Sequence, residues 1–254
     1  MKIFSGLVGI VALLFIVQPS AVDAAKRSPR TKTHSSTSTN VTVKNSIAAA
    51  STSGKMVFAH FMVGIVSSYQ ASDWANDISL ASASGIDGFA LNIGADSYTE
   101  SQLTLAYNAA GEEKRPCPRI QHNVSITFLI ASTNFKLFIS FDMTSITDPN
   151  RISSILKQFS SQSAQFKVDG KPFVSTFVGY GTVDWNSIQS SSGVSIYLVP
   201  NWQASQLQGN TQVSGGFSWI AWPNSNNQPI DANMTTDSDN AYISALNGKA
   251  YMAP

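Results

Sequence analysis

Residues 55–64 read Lys-Met-Val-Phe-Ala-His-Phe-Met-Val-Gly, a nearly unbroken apolar run closed by glycine. A strand with one wet face alternates polar and apolar residues. A run apolar at almost every position fits a central strand of a parallel sheet, where helices cover both faces. His60 interrupts the run near its C-terminal end, and in sheets of strand–helix repeats that end is where ligands bind.

The pattern recurs downstream. Residues 87–94 (Asp-Gly-Phe-Ala-Leu-Asn-Ile-Gly), 135–142 (Phe-Lys-Leu-Phe-Ile-Ser-Phe-Asp), 173–179, 195–200, 216–222 and 249–254 all read as strands. Helical patterns fill the intervals. Ser72 or Asp73 caps a helix carrying Trp74, Ile78 and Ala81 on one face, stopped by Gly85. Thr99 and Gln102 have capping-box spacing ahead of Leu103, Ala106, Tyr107 and Ala110. Asp148 is a cap followed by Pro149 at the first helical position, and Ile152, Ile155, Leu156 and Phe159 make the clearest apolar stripe. Asp184 caps a short helix with Trp185 and Ile188, and Asp237 opens one with Tyr242, Ala245 and Leu246.

Seven strands alternating with helices predict a parallel α/β fold. A doubly wound sheet is one solution, but no glycine-rich phosphate loop follows the first strand, so nucleotide binding has no support. A (β/α)8 TIM-type barrel fits better, incomplete at about seven strands with the last missing. Polar or aromatic residues recur at its strand ends: His60, Asn92, Asp142, Thr176, Asn201 and Trp219. Such a barrel carries its active site at that face.

Composition narrows the function. The chain has 254 residues, 43% hydrophobic with 14 Phe, enough for a full core, but only 12% charged against the usual quarter. Ser, Thr, Asn and Gln supply the polarity instead, a surface suited to export and to sugars. Lys2, Lys26, Arg27, Arg30, Lys32 and Lys44 precede residue 55 against the single acid Asp23; the remainder holds 10 basic and 14 acidic residues. Phosphate binding needs a basic footprint, so nucleic acid is not an expected partner. The lone Cys117 excludes an intramolecular disulfide and a multi-cysteine zinc site, and His34, His60 and His122 show no ligand spacing. No metal and no cofactor are expected.

Lys2 precedes an apolar stretch from Ile3 to Val17, and Val22-Asp23-Ala24 presents short residues for signal peptidase. Residues 1–24 therefore read as a secretory signal peptide. An uncleaved anchor is the alternative, for which the apolar core is short. The dibasic pair Lys26-Arg27 offers a second, weaker processing site. Residues 25–54 form a Ser/Thr-rich linker without apolar periodicity, and residues 55–254 the folded unit. Asn40, Asn123 and Asn233 each begin an Asn-X-Ser/Thr glycosylation sequence. Residues 111–134 break the rhythm, because 24 residues stand where a short helix-to-strand loop belongs. They hold the only cysteine and the cluster Glu112-Glu113-Lys114-Arg115. Two readings stand, a translated intron or a surface insertion.

Residues 57–64, 85–94, 135–143, 170–177 (Gly-Lys-Pro-Phe-Val-Ser-Thr-Phe) and 217–223 (Phe-Ser-Trp-Ile-Ala-Trp-Pro) together resemble the fungal α-1,3-glucanases, the mutanases of glycoside hydrolase family 71. The resemblance runs in order from Lys55 to Pro254, apart from the insertion. It implies a (β/α)8 catalytic domain, secretion, and inverting hydrolysis of α-1,3-glucan in fungal walls. Inversion takes one carboxylic acid to protonate the leaving oxygen and a second carboxylate to activate water, ~6.5–9.5 Å apart. Two features depart from the family. Its acidic pair lies in a Trp-Asn-Asp-Tyr-Gly-Glu-like motif after the last barrel strand, which these 254 residues do not contain. Ile220 stands where the family commonly has Asp or Asn.

The expected catalytic residues are therefore unassigned, with Asp142 an auxiliary candidate. His60, Asn92, Asp142, Thr176 and Asn201 are candidate sugar ligands. Trp202, Trp219 and Trp222 are candidate stacking platforms, since the C–H faces of pyranose rings pack on aromatics. Each has a plainer alternative: a satisfied core histidine, the start of a turn, or core packing. Asp87, at the N-terminal side of its strand, reads as structural. The expectation is a secreted, monomeric glycosidase of the endo-α-1,3-glucanase type, free of the membrane after signal cleavage and inactive over these residues alone. The alternatives are a non-catalytic glucan-binding barrel and an incomplete gene product.

Overall fold

The structure is a computed structural model. It describes residues 55–111, 134–220 and 235–254, together with the backbone of Ile10–Gln18, Asn224–Ser225 and Gln228–Pro229. The elements in chain order are β1 (Ile10–Gln18), β2 (Met56–Met62), α1 (Ala71–Ala83), β3 (Gly88–Ile93), α2 (Thr99–Gly111), β4 (Lys136–Asp142), α3 (Pro149–Phe159), β5 (Lys167–Val168), β6 (Lys171–Phe177), α4 (Trp185–Ser192), β7 (Tyr197–Asn201), α5 (Ala204–Leu207), β8 (Gly215–Phe217), β9 (Asn224–Ser225), β10 (Gln228–Pro229), α6 (Asp237–Leu246) and β11 (Ala250–Ala253).

The fold is α/β on a mixed sheet. Strands β2, β3, β4, β6 and β7 pair in parallel in that spatial order, and β11 pairs in parallel with β8. Between β2 and β11 lies β1, antiparallel to both, with Ile16 opposite Val57 on one side and Ala253 on the other. At the far side, β7 and β8 meet: the Ser214 amide donates to the Leu198 carbonyl at 2.8 Å, and Asn201 Nδ2 to the Phe217 carbonyl at 3.2 Å. Short β5 folds back antiparallel on β6, and β9–β10 is a separate small hairpin.

Two apolar layers explain why the strands are apolar at nearly every position. Phe58, Ala90, Phe138, Phe173, Val199, Phe217 and Met252, one from each of the seven parallel strands, cluster on the inner face. Phe61, Leu91, Ile139, Val174 and Leu198 point outward into a larger layer, where they meet Trp74, Leu103, Ile155, Phe159 and Trp185 of the helices. Each such side chain contributes about 1.5–3 kcal/mol when fully buried. Gly88 is required by the inner layer, since a Cβ there would stand 2.6 Å from the ring of Phe58 and 2.2 Å from the Lys136 carbonyl.

Polar contacts fix the helices over the strand ends. Trp74 Nε1 donates to Gln102 Oε1 at 2.8 Å, joining α1 to α2, while Gln102 Nε2 donates to the carbonyls of Ser67 and Tyr69. Arg151 pairs with Glu100 at 2.9 Å and donates to the carbonyls of Ala95 and Asp96, tying α3 to the loop after β3. The Asp87 carboxylate accepts from the Val57 amide at 2.8 Å, below the strand ends.

Several expectations are corrected. The cap of α1 is Gln70, not Ser72 or Asp73; Asp73 is the third helical residue and accepts from the Gln70 amide at 2.8 Å. The strand expected over 216–222 is only Gly215–Phe217, so Trp219 follows the strand rather than ending it. The first and last parallel strands, which a barrel lacking its last strand would leave with open edges, are both paired by β1. An extended apolar segment satisfies the backbone groups that an unpaired edge would expose. Asn40, Asn123, Trp222, Asn233 and nearly all of 111–134 lie outside the described residues. Among the described residues no helix is long and apolar enough to cross a membrane.

Candidate functional site

Side chains two residues apart on a strand share a face. His60 follows Phe58 by two, Asn92 follows Ala90 and Asn201 follows Val199, while Asp142 follows Phe138 by four; Trp219, just past the end of β8, packs against the same inner cluster. All five thus continue the inner face beyond the seven-residue cluster, at the C-terminal ends of the strands. The fold brings these five together at one mouth.

His60 is 6% exposed, and its ring stands edge-on to Trp219 with centroids 5.0 Å apart. Burial pushes its pKa down to about 4, against the opposing pull of the Asp142 charge. Near neutral pH it is therefore an uncharged imidazole, with one nitrogen to donate and one to accept. Asp142 is half-buried, and its Oδ1 accepts from the Thr144 amide at 3.0 Å and from Thr144 Oγ1 at 2.7 Å. Among the described residues its Oδ2 accepts no hydrogen bond. Asn92 is buried, in register with Met62 and Ser140. Asn201 spends its amide nitrogen on Phe217. Phe177 stands edge-on to Trp219 at 5.3 Å and extends the aromatic wall.

Two residues expected in this group lie elsewhere. Thr176 sits between Ser175 and Phe177, on the helix side of β6 with Val174, fully buried; its hydroxyl donates to the Val178 carbonyl at 2.9 Å. Trp202 belongs to the outer layer, 4% exposed, and its Nε1 donates to the same carbonyl at 3.2 Å. Both act on a loop rather than presenting themselves to a ligand in the mouth. Trp222 lies outside the described residues.

One carboxylate went unnoticed in the sequence. Asp96, in the loop after β3, brings its Oδ2 within 3.3 Å of where side chains on Gly64 and Gly94 would begin. It therefore shares the rim with the loops after β2 and β3. Tyr98 of the same loop donates to the Gly64 carbonyl at 2.6 Å. The signal was weak, since Asp96 belongs to no apolar pattern.

The mouth combines aromatic edges, a neutral imidazole, two amides and rim carboxylates. Among the described residues no three His, Cys, Asp or Glu are grouped to hold a metal ion. Uncharged donors and acceptors beside aromatic carbon suit a polyhydroxylated ligand, which offers both hydroxyls and C–H faces. The class is thus a strand–helix protein with a polar, aromatic-walled site at the C-terminal ends of parallel strands.

The particular family follows from comparison. The sequence model of glycosyl hydrolase family 71 matches residues 53–254, and the chain belongs to that family. A mutanase of Penicillium rubens is 41% identical over 207 residues, covering 79% of this chain and 42% of that protein. A glucan endo-1,3-alpha-glucosidase of Schizosaccharomyces pombe is 39% identical over 218 residues, covering 79% and 46%. The chain spans less than half the length of these curated relatives. Among solved structures, a GH99 endo-alpha-mannosidase from Bacteroides thetaiotaomicron superposes with a TM-score of 0.41 at 11% identity, covering 60% of this chain and 44% of that one. That likeness is too slight to define a shared fold.

Proposed function

We propose that the chain is the site-bearing part of a secreted glycoside hydrolase acting on α-1,3-glucan of the fungal wall. The carrying observation is the gathering of His60, Asn92, Asp142, Asn201 and Trp219 at one strand-end mouth, in a chain of family 71. The printed activities of its relatives supply the substrate class. Ring closure of the sheet as a barrel, with residues 1–24 a leader, 25–54 a linker and 111–134 an insertion, belongs to the same reading. The Ser214–Leu198 and Asn201–Phe217 bonds support closure at β7 and β8.

In this reading Trp219 and Phe177 flank a glucose ring, while His60, Asn92 and Asn201 bond its hydroxyls. Asp142, through Oδ2, orients a hydroxyl or the attacking water. An inverting hydrolase needs an acid and a base on opposite sides of the bond, and Asp96 and Asp142 are the rim carboxylates among the described residues. A second reading, glucan binding without cleavage, is favoured by the mouth itself, where Asp142 Oδ1 is held by Thr144 and the remaining groups are uncharged amides, an imidazole and aromatic edges that suit holding a sugar.

The test is incubation of the purified chain with insoluble α-1,3-glucan, measuring bound protein and released reducing ends. Release lost in Asp142→Asn supports the hydrolase. Retention without release supports the binding reading. Neither retention nor release overturns both.

A further inference from the structure

The loop after β6 has an unusual backbone. Val178, Gly179 and Gly181 all have positive φ, at 50, 84 and 73°. For β-branched Val178 this is a disfavoured conformation, which persists only where the surroundings impose it. Here two donors impose it: Thr176 Oγ1 and Trp202 Nε1 both donate to the Val178 carbonyl. Gly179 lies so close to Met143, the residue after Asp142, that an added Cβ would stand 2.2 Å from the Met143 Cβ. The loop is thus pinned to the edge of the mouth from β4, β6 and β7.

The pinned loop presents Tyr180. Its side chain is 52% exposed, standing edge-on to the buried Trp202 with ring centroids 5.1 Å apart. A cleft lies on either side. One, of about 330 Å³, includes Asn201, Gln203 and Gln206. The other, of about 550 Å³, includes Asp184, Asn210 and Gln212. Both are lined by Tyr180 and Trp202. The ridge is therefore an exposed aromatic ring on a fixed backbone, flanked by amides and a carboxylate. The first cleft reaches the mouth through Asn201.

We propose that Tyr180 is a sugar-stacking platform, a polysaccharide subsite outside the mouth over which a glucan chain runs from the Asn201 cleft to the Asp184–Gln212 cleft. The inference rests on the glucan-active reading of the mouth and extends it to a longer stretch of the polymer. A flat ring takes the C–H face of a pyranose, and the amides on both sides take its equatorial hydroxyls. A fixed loop lowers the entropy lost on binding. Trp202, expected in the sequence as a platform, serves instead as the support behind one.

The test uses the full 254-residue chain and its Tyr180→Ala, Tyr180→Phe and Asp142→Asn variants, measuring retention on insoluble α-1,3-glucan and on insoluble β-1,3-glucan. Thermal melting is followed in parallel. Tyr180→Ala should weaken retention about tenfold with an unchanged melting temperature, and Tyr180→Phe should bind as the parent does. Equal retention of Tyr180→Ala and parent overturns the ridge while leaving the mouth reading standing. Retention on β-1,3-glucan alone, lost in Tyr180→Ala, keeps the ridge and overturns the α-1,3 substrate. No retention of the parent on either polymer overturns both.

Discussion

His60 stands edge-on to Trp219 at 5.0 Å, its imidazole buried in the mouth. Burial holds its pKa near 4, below the ordinary 6.5. Between those values the unfolded chain takes up a proton that the folded chain does not, so folding weakens as pH falls through this window. The shift corresponds to ~3 kcal/mol at most. Urea unfolding midpoints should fall from pH 7 to pH 4, and His60→Gln should flatten that part of the profile. A midpoint in the parent that holds steady across this range would show that His60 is not buried as described.

Gln102 is a buried junction, accepting from Trp74 Nε1 and donating to the carbonyls of Ser67 and Tyr69. Gln102→Leu keeps much of the volume and strands an indole N–H and two carbonyls. Each buried polar group left unsatisfied costs about 1–3 kcal/mol. Chemical unfolding should show a loss of ~2–4 kcal/mol overall, since the carbonyls regain some water. A loss below half a kilocalorie would mean that the loop over α1 and α2 is not closed by this side chain.

Arg151 reaches from α3 to the loop that carries Asp96, bonding the Ala95 and Asp96 carbonyls and Glu100. Partly exposed ion pairs add little to stability, so Arg151→Ala should cost only ~1 kcal/mol in unfolding. Its effect on glucan retention should be the larger one, because Asp96 loses its fixed place on the rim. Arg151→Lys should not restore it, since an ammonium lacks the planar fork that serves three acceptors. Full retention in Arg151→Ala would remove Asp96 from the rim site.

Much of this was legible in the sequence, and what was not has physical reasons. The seven parallel strands were readable because both their faces are buried. That same property hid which face is inner. In 173–177, Phe173 and Val174 are equally apolar, so nothing in the pattern assigned Thr176 to the helix side and Phe177 to the mouth. Trp202 was misplaced for the same reason. Gln70 was missed as a cap because glutamine reads as a helix former, while Asp73 reads as a cap and is its capping-box partner. The left-handed turn at Val178 was out of reach because a β-branched residue carries no signal for it. Only Gly179 and Gly181 pointed there.

Gly179 allows a direct test of the pinned loop. Its φ is +84°, and a side chain would collide with Met143. Gly179→Ala therefore meets both backbone strain and a clash, for ~2–3 kcal/mol. Gly181, also at positive φ but in open space, should cost only about 1 kcal/mol as alanine. Equal unfolding free energies for the two variants would show that the loop does not rest on Met143.

The last prediction concerns β1. In the sheet it lies between β2 and β11, with Ile16 opposite Val57 and Ala253. The apolar stretch that reads as an export leader thus occupies the position that joins the two ends of the parallel sheet. Cleavage after Ala24, part of the proposed export, removes it. The backbone groups of β2 and β11 that face β1 would then lose their partners, and an open edge of apolar strand exchanges its amide hydrogens readily and recruits other chains. Hydrogen exchange on a chain beginning at Ala25 should show Phe58, Tyr251 and Ala253, whose backbone groups turn toward β1 because Val57 bonds Asp87 and Ala250 bonds Ser214 on the other side, less protected than in a chain carrying residues 1–24. Strands β3 and β4, paired on both sides within the sheet, should exchange alike in both. Equal protection at β2 in the two chains would mean that β1 is not part of the sheet in solution.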